Sequence, residues 1–178
     1  MAKIKVVTDS SVQLTPEEID KYGITVVPLT ITIDGQTYTD GVDISREEFV
    51  KKMDASKELP KTSQPSIGVF EKVFKDLTDD GSQVVGIFLA RSLSGTIEAA
   101  RQAADLIGKS KEVTLIDSDL TDRAEAYQVL AAAKDAKEGK SLEEIVAHVE
   151  RLKEHQKLYM MVVNLNNLIK GGRLGPLA

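Results

Sequence analysis

Cysteine is absent from the 178 residues, and so is tryptophan. Without a thiol the chain has no disulfide framework, no thiol nucleophile and no zinc–thiolate or iron–sulfur site, which removes most redox and zinc chemistry and suits a reducing compartment. Aromatic residues are scarce: four Phe and four Tyr, scattered along the chain, leave no cluster on which bases could stack. Positive charge is in deficit, with 23 Lys+Arg against 28 Asp+Glu and a net charge of -5, and no long basic run tracks a phosphate backbone. Nucleic acid is therefore not an expected partner. No apolar run approaches the roughly 20 residues that cross a bilayer, and the opening run Ile4 to Val7 is broken by Thr8-Asp9-Ser10, too soon for a signal peptide. These absences predict a cytoplasmic protein with no membrane span.

What is present is an ordinary globular balance, 42% hydrophobic and 29% charged, enough for one domain or one and a half. Short apolar runs at Ile4 to Val7, Ile24 to Ile33, Val84 to Leu89, Val113 to Ile116 and Leu158 to Val163 alternate with stretches of helical period, the pattern of strands and helices wound into a parallel sheet. Three helix starts carry a capping box, at Thr15 to Glu18, Ser45 to Glu48 and Ser141 to Glu144. Asp34-Gly35, flanked by Thr30, Thr32, Thr37 and Thr39, predicts a hairpin that leaves the main sheet. Leu59 to Ser66, with two prolines and three hydroxyl residues, predicts a loop; Ser66 then caps a helix carrying Val69, Phe70, Val73, Phe74 and Leu77. After the last apolar run, Asn164 to Gly172 reads as a short helix with a glycine stop.

Candidate chemistry is sparse. His148 and His155, the two histidines, lie seven apart on one helix, whereas a metal pair wants a spacing of three or four, so they read as surface residues. Gly108-Lys109-Ser110 lacks the upstream glycine of a phosphate loop, since position 103 is Ala103, and marks a helix end. Asp9-Ser10-Ser11 and Asp117-Ser118-Asp119 each follow a predicted strand, where α/β proteins build ligand crevices, but the same residues also serve turns. The strongest constellation is Arg91-Ser92-Leu93-Ser94-Gly95-Thr96, between a strand and a helix that begins at Ile97. It gathers hydroxyls and backbone N–H groups at the positive end of a helix, which suits a carboxylate or phosphate; an ordinary N-cap accounts for it as well. A nucleophile elbow would need glycine where Ser92 and Thr96 stand.

Four motifs in order, Thr62-Ser63-Gln64-Pro65-Ser66, Leu93-Ser94-Gly95-Thr96, Ile116-Asp117-Ser118 and Lys170-Gly171-Gly172-Arg173, resemble the DegV family of fatty-acid-binding proteins, with support from Val7-Thr8-Asp9-Ser10 and Val26-Val27-Pro28-Leu29. The resemblance implies a parallel-sheet α/β/α sandwich with a β-hairpin excursion and the start of a second α/β domain. Residues 1–157 would form the N-terminal domain, with the hairpin 24–40 reaching toward the second, and 158–178 the beginning of a truncated C-terminal domain. It further implies a non-enzymatic protein that holds a long-chain fatty acid by its carboxylate and presents it to a separate fatty acid kinase subunit, with no cofactor or metal of its own. Thr62 and Ser94 would bind the carboxylate, with Ser63 and Gly95 beside them and Arg173 nearby. The sequence departs from the family around the turn, where Ala90-Arg91 and Ile97 replace the usual serines and aromatic. A truncated face would favour self-association or a second chain. Two rival readings are a phosphoryl or acyl transferase using Ser94 or Asp9, and a fragment that binds no lipid.

Overall fold

The computed structural model describes residues 3–175. In chain order its elements are β1 (Ile4–Asp9), α1 (Pro16–Tyr22), β2 (Thr25–Val27), β3 (Thr30–Ile33), β4 (Gln36–Thr39), α2 (Arg46–Ala55), β5 (Lys61–Ser63), α3 (Ile67–Thr78), β6 (Gln83–Phe88), α4 (Thr96–Leu106), β7 (Val113–Asp117), α5 (Asp122–Lys137), α6 (Leu142–His155) and α7 (Asn166–Lys170). The strands β2-β1-β6-β7 form a parallel sheet. Alternation along its strands sends side chains to two cores. Val6, Val85 and Ile87 pack against α5 and α6, while Val7, Val84 and Phe88 pack against α3 and α4, so helices cover both faces. Phe70 stacks on Phe74 and meets Phe88 edge-on, at centroid distances of 5.6 and 5.4 Å. No helix among the described residues is long and apolar enough to cross a membrane.

All three capping boxes form: Thr15, Ser45 and Ser141 each accept the N–H of the third residue on, whose Glu returns a bond to the cap N–H. Ser66 caps α3 through the Val69 N–H. The longest helix, α5, has no such box, because Ala124 stands where the returning Glu would be and Thr121 makes no side-chain cap bond; its buried face mixes Glu125, Gln128 and Asp135 with small alanines and Val129.

The run Ile24 to Ile33 is divided rather than continuous. Its first part is β2 of the parallel sheet; Pro28, which has no N–H to give a ladder, ends it, and the chain then enters a separate antiparallel sheet of order β4-β3-β5. Asp34 and Gly35 turn the β3–β4 hairpin with φ of 45° and 82°, the left-handed pair this two-residue turn requires. The predicted loop at Leu59 to Ser66 also needs correction. Lys61–Ser63 is strand β5, pairing Thr62 with Ile31 and Ser63 with Thr30, because prolines at 60 and 65 bracket the three residues without interrupting them. Ile31, Ile33 and Ile44 bury against Tyr38 and Phe49 to hold this small sheet to α2.

One predicted strand is absent. Leu158 to Val163 has no strand pairing: Tyr159 is 86% exposed, Met161 93% and Val163 97%. Its apolar alternation suits a strand, but among the described residues no neighbouring strand offers it a ladder, and a strand without one does not form. The short helix that follows, with Gly171 at its end, forms as α7.

Candidate functional site

In the parallel sheet the chain runs from β1 outward to β2 on one side and returns to β6 on the other, so the connection reverses direction between β1 and β6. Open α/β sheets bind ligands outside the carboxyl ends of the strands at such a point. Here the buried carboxylate of Asp9, the last residue of β1, accepts the Leu89 N–H just beyond β6 at 2.8 Å. Above that junction lies a cavity of about 640 Å³, within the ordinary range of small-molecule sites, ~300–1,000 Å³.

The five residues expected to bind a carboxylate, Thr62, Ser63, Ser94, Gly95 and Arg173, all line this one cavity. They arrive from three parts of the fold. Thr62 and Ser63 are carried by β5; Ser94 and Gly95 lie between β6 and α4; Arg173 follows α7, where its Nη1 donates to Gly171 O at 2.5 Å. The rest of the lining is mostly apolar: Leu29, Leu89, Leu93, Met160 and Leu168. A neighbouring cavity of about 500 Å³ shares Thr62, Ser63, Leu168 and Arg173.

At the start of α4, Gly95 is the N-cap residue and no side chain caps it. Ser94 Oγ instead accepts the Thr96 N–H at 3.3 Å and lies 2.9 Å from Thr96 Oγ1, so its hydroxyl is held at the helix end with Thr96 buried beneath. Gln64, which sequence reasoning did not separate from its motif, lies directly against Gly95, and a Cβ there would overlap its Oε1. Hydroxyls, an amide and a helix N-terminus can hold an anion; with Ser94 bonded to Thr96, the hydroxyl has a neutral partner rather than a base.

The other singled-out residues lie elsewhere. Asp117 accepts backbone N–H groups of Arg91 and Asp119 at 3.2 and 3.0 Å, and Ser118 bonds the Leu120 backbone in both directions, which is turn chemistry. His148 Nδ1 is 2.6 Å from Asp135 Oδ2, and His155 Nδ1 is 2.7 Å from Arg151 O; neither lines the cavity.

Behind Asp9 sits an acid that sequence reasoning missed. Glu125 is fully buried in α5 and takes bonds from Thr8 Oγ1 at 3.3 Å and Ser11 Oγ at 3.1 Å; the same Ser11 hydroxyl lies 2.5 Å from Asp9 Oδ1. Burial, then the negative charge of Asp9, pushes the Glu125 carboxyl far above the usual carboxylate range. Burial also raises Asp9, against the bonds it takes from Ser11 and Leu89. The available signal was a Glu at the first position of an otherwise apolar stripe, 125, 129, 132 and 133.

The chain is similar to known proteins in both sequence and fold. The family model described as "Uncharacterised protein, DegV family" matches residues 3–178. A DegV domain-containing protein of Streptococcus pneumoniae is 50% identical over 176 residues, 98% of this chain and 62% of the relative. A DegV-family protein from Ruminococcus gnavus, whose structure is described with vaccenic acid, superposes with a TM-score of 0.87 at 29% identity, over 97% of this chain and 62% of that one. A stearic-acid-binding protein from Eubacterium ventriosum gives 0.76 at 31% identity, over 84% and 52%. The chain thus spans about 62% of the length of the curated relative it matches.

Proposed function

Because the chain belongs to the DegV family, we propose that it binds one long-chain fatty acid, holding the carboxylate with the hydroxyls of Thr62 and Ser94 and presenting it to a separate fatty acid kinase subunit. The observation that supports this reading is that Thr62, from β5, and Ser94, from the turn before α4, line one cavity together with the apolar residues Leu29, Leu89, Leu93, Met160 and Leu168. Ser63, Gly95 and Arg173 complete the head-group end. Relatives described as binding stearic acid or fatty acids support the ligand class.

The energetics divide between tail and head. At about 0.8 kcal/mol per buried methylene, a dozen methylenes gain on the order of 10 kcal/mol before the entropy of association is subtracted. The hydroxyls of Thr62 and Ser94 then orient the carboxylate, with Arg173 the one formal cation among the described residues that line the cavity, and a carboxylate oxygen attacks the terminal phosphorus of a nucleoside triphosphate brought by the partner, the nucleoside diphosphate leaving as the acyl phosphate forms. The exposed apolar residues Tyr159, Met161 and Val163 favour self-association or a second chain in the absence of other cover.

Native mass spectrometry of the purified chain, with lipid extraction, tests the reading. A stoichiometric adduct of fatty-acid mass, weakened in Thr62→Ala/Ser94→Ala, is expected. A protein that stays lipid-free with added fatty acid is not a working carrier. Presentation is tested separately, by adding a fatty acid kinase and measuring acyl phosphate.

A further inference from the structure

Thr62 and Ser94 stand on different elements, so something must fix the distance between them. We propose that the dipeptide Asp9-Ser10, at the end of β1, positions both hydroxyls, and so sets the head-group geometry without touching the ligand. The inference rests on the fatty-acid reading above and names residues which that reading does not use.

The two side chains point to opposite halves of the site. Asp9 Oδ2 accepts the Leu89 N–H at 2.8 Å, while Oδ1 is occupied by the Ser11 N–H at 2.9 Å and the Ser11 hydroxyl at 2.5 Å. The carboxylate is fully buried and cannot swing away from those donors without leaving them unpaired. From Leu89 the chain reaches Ser94 through one tight turn, in which the Ala90 carbonyl accepts the N–H of Leu93 at 2.9 Å and of Ser94 at 3.2 Å. Asp9 is therefore one turn away from the Ser94 hydroxyl.

Ser10 does the same for the other half. Its hydroxyl accepts the Leu29 N–H at 3.0 Å and donates to Asp40 Oδ2 at 2.6 Å, while the Asp40 N–H returns to the Leu29 carbonyl at 2.9 Å. Leu29 and Asp40 flank the β3–β4 hairpin, so Ser10 clamps both its ends. Within that sheet Ile31, two residues past Leu29, pairs with Thr62. The small sheet meets the parallel sheet at this clamp, and Leu29 and Leu89, the residues whose amides are held, both line the cavity. Adjacent residues on the central strand thus register the two hydroxyl-bearing walls against one another.

Two measurements on the purified chain test this, using Ser10→Ala, Asp9→Asn and, as a control, Val149→Ala, which opens the opposite core layer. The first is equilibrium binding of oleic acid and of oleyl alcohol, which share a tail and differ in the head. Misplaced hydroxyls reduce the preference for acid over alcohol, by about tenfold for the loss of one well-made bond, whereas general loosening weakens both ligands alike. The expected result is a reduced preference in Ser10→Ala and Asp9→Asn and an unchanged one in Val149→Ala. An unchanged preference in Ser10→Ala, or an equal loss in Val149→Ala, overturns the proposal. The second is amide hydrogen exchange without ligand: Ser10→Ala should speed exchange at Leu29 and Thr62, and Asp9→Asn at Leu89 and Ser94. If the unsubstituted chain binds neither lipid, the fatty-acid reading fails, and the exchange pattern alone decides the positioning: unchanged rates at Leu29 in Ser10→Ala overturn it. Ser10 is only half-buried, so its variant remains informative if Asp9→Asn does not fold.

Discussion

Gln64 rests on the bare Cα of Gly95, close enough that a Cβ would overlap its Oε1 and stand 3.1 Å from its Cδ. The contact joins the end of the small sheet to the start of α4. Because φ at Gly95 is -80°, an ordinary value, the glycine is required by the neighbour and not by the backbone. Gly95→Ala should therefore displace the flexible Gln64 side chain at a cost to stability below about 1 kcal/mol, a melting shift of a few degrees at most. Fatty-acid affinity should fall much further, and Gln64→Ala in the same chain should recover part of it. Equal affinity for Gly95→Ala and the unsubstituted chain would show that the contact is not used.

The two hydroxyls differ in what else they do, and their variants should differ accordingly. Thr62 is exposed on β5, so Thr62→Ala should leave the melting temperature in place while weakening carboxylate binding by about 1.5–3 kcal/mol, the range for a hydrogen bond to a charged group. Ser94 also accepts the Thr96 N–H, so Ser94→Ala should lower both affinity and stability. Calorimetric titration with oleic acid beside thermal melts separates the two. A stability loss in Thr62→Ala equal to that in Ser94→Ala would contradict this division.

Local rules carried much of this structure. Capping boxes and the Asp34-Gly35 turn are written in neighbouring residues, and each forms where the sequence places it. Strand β5 was not legible, because three polar residues between prolines become a strand only when β3 lies alongside, and that pairing spans about 30 positions of sequence. Leu158 to Val163 failed for the converse reason: its pattern is that of a strand, and no strand among the described residues pairs with it. At the site, motif resemblance grouped Thr62, Ser94 and Arg173, which spacing alone could not, since they meet only through the fold. Glu125 was hidden by its surroundings of alanine, where a lone acid looks like a solvated helix position.

The raised Glu125 carboxyl gives the protein a pH dependence of definite sign. Its folded pKa lies above the ordinary 4.5, so over the window above 4.5 the folded chain holds a proton that the unfolded chain has released. Stability from this group is therefore fully present below that window and falls as pH rises through it, by at most about 1.4 kcal/mol per pH unit for one proton. Glu18, Asp80 and Asp135 are shifted downward, the first by its paired bonds to Arg123, so they act on the acid side, away from the window in which Glu125 acts. Glu125→Gln should flatten the decline, and its melting temperature relative to the unsubstituted chain should rise from pH 6 to pH 9. Parallel curves would remove Glu125 as the source.

Proteolysis should find the end of the N-terminal unit at Lys157. Among the described residues, the last one hydrogen-bonded to the α/β core is Gln156, whose Oε1 accepts from Gln128 Nε2 at 2.9 Å and whose Nε2 donates to Ala124 O at 3.1 Å, fastening the end of α6 to α5. One turn earlier, Lys153 is ion-paired with Asp119 and Glu150 at 3.2 and 3.3 Å and lies within the helix, where a protease cannot bind extended backbone. Lys157 is exposed and followed by backbone with no strand or helix until α7. Limited trypsin should accordingly accumulate a fragment ending at Lys157 that melts as cooperatively as the intact chain, since the buried residues of both main cores precede it. Gln156→Ala should move early cleavage back into α6. Lys57 and Lys61, also exposed, are two of the competing sites: Asp34 holds the Lys57 N–H, and β3 pairs Lys61 with Thr32. First cleavage at either of them would place the weakest point of the fold in the small sheet and not after α6.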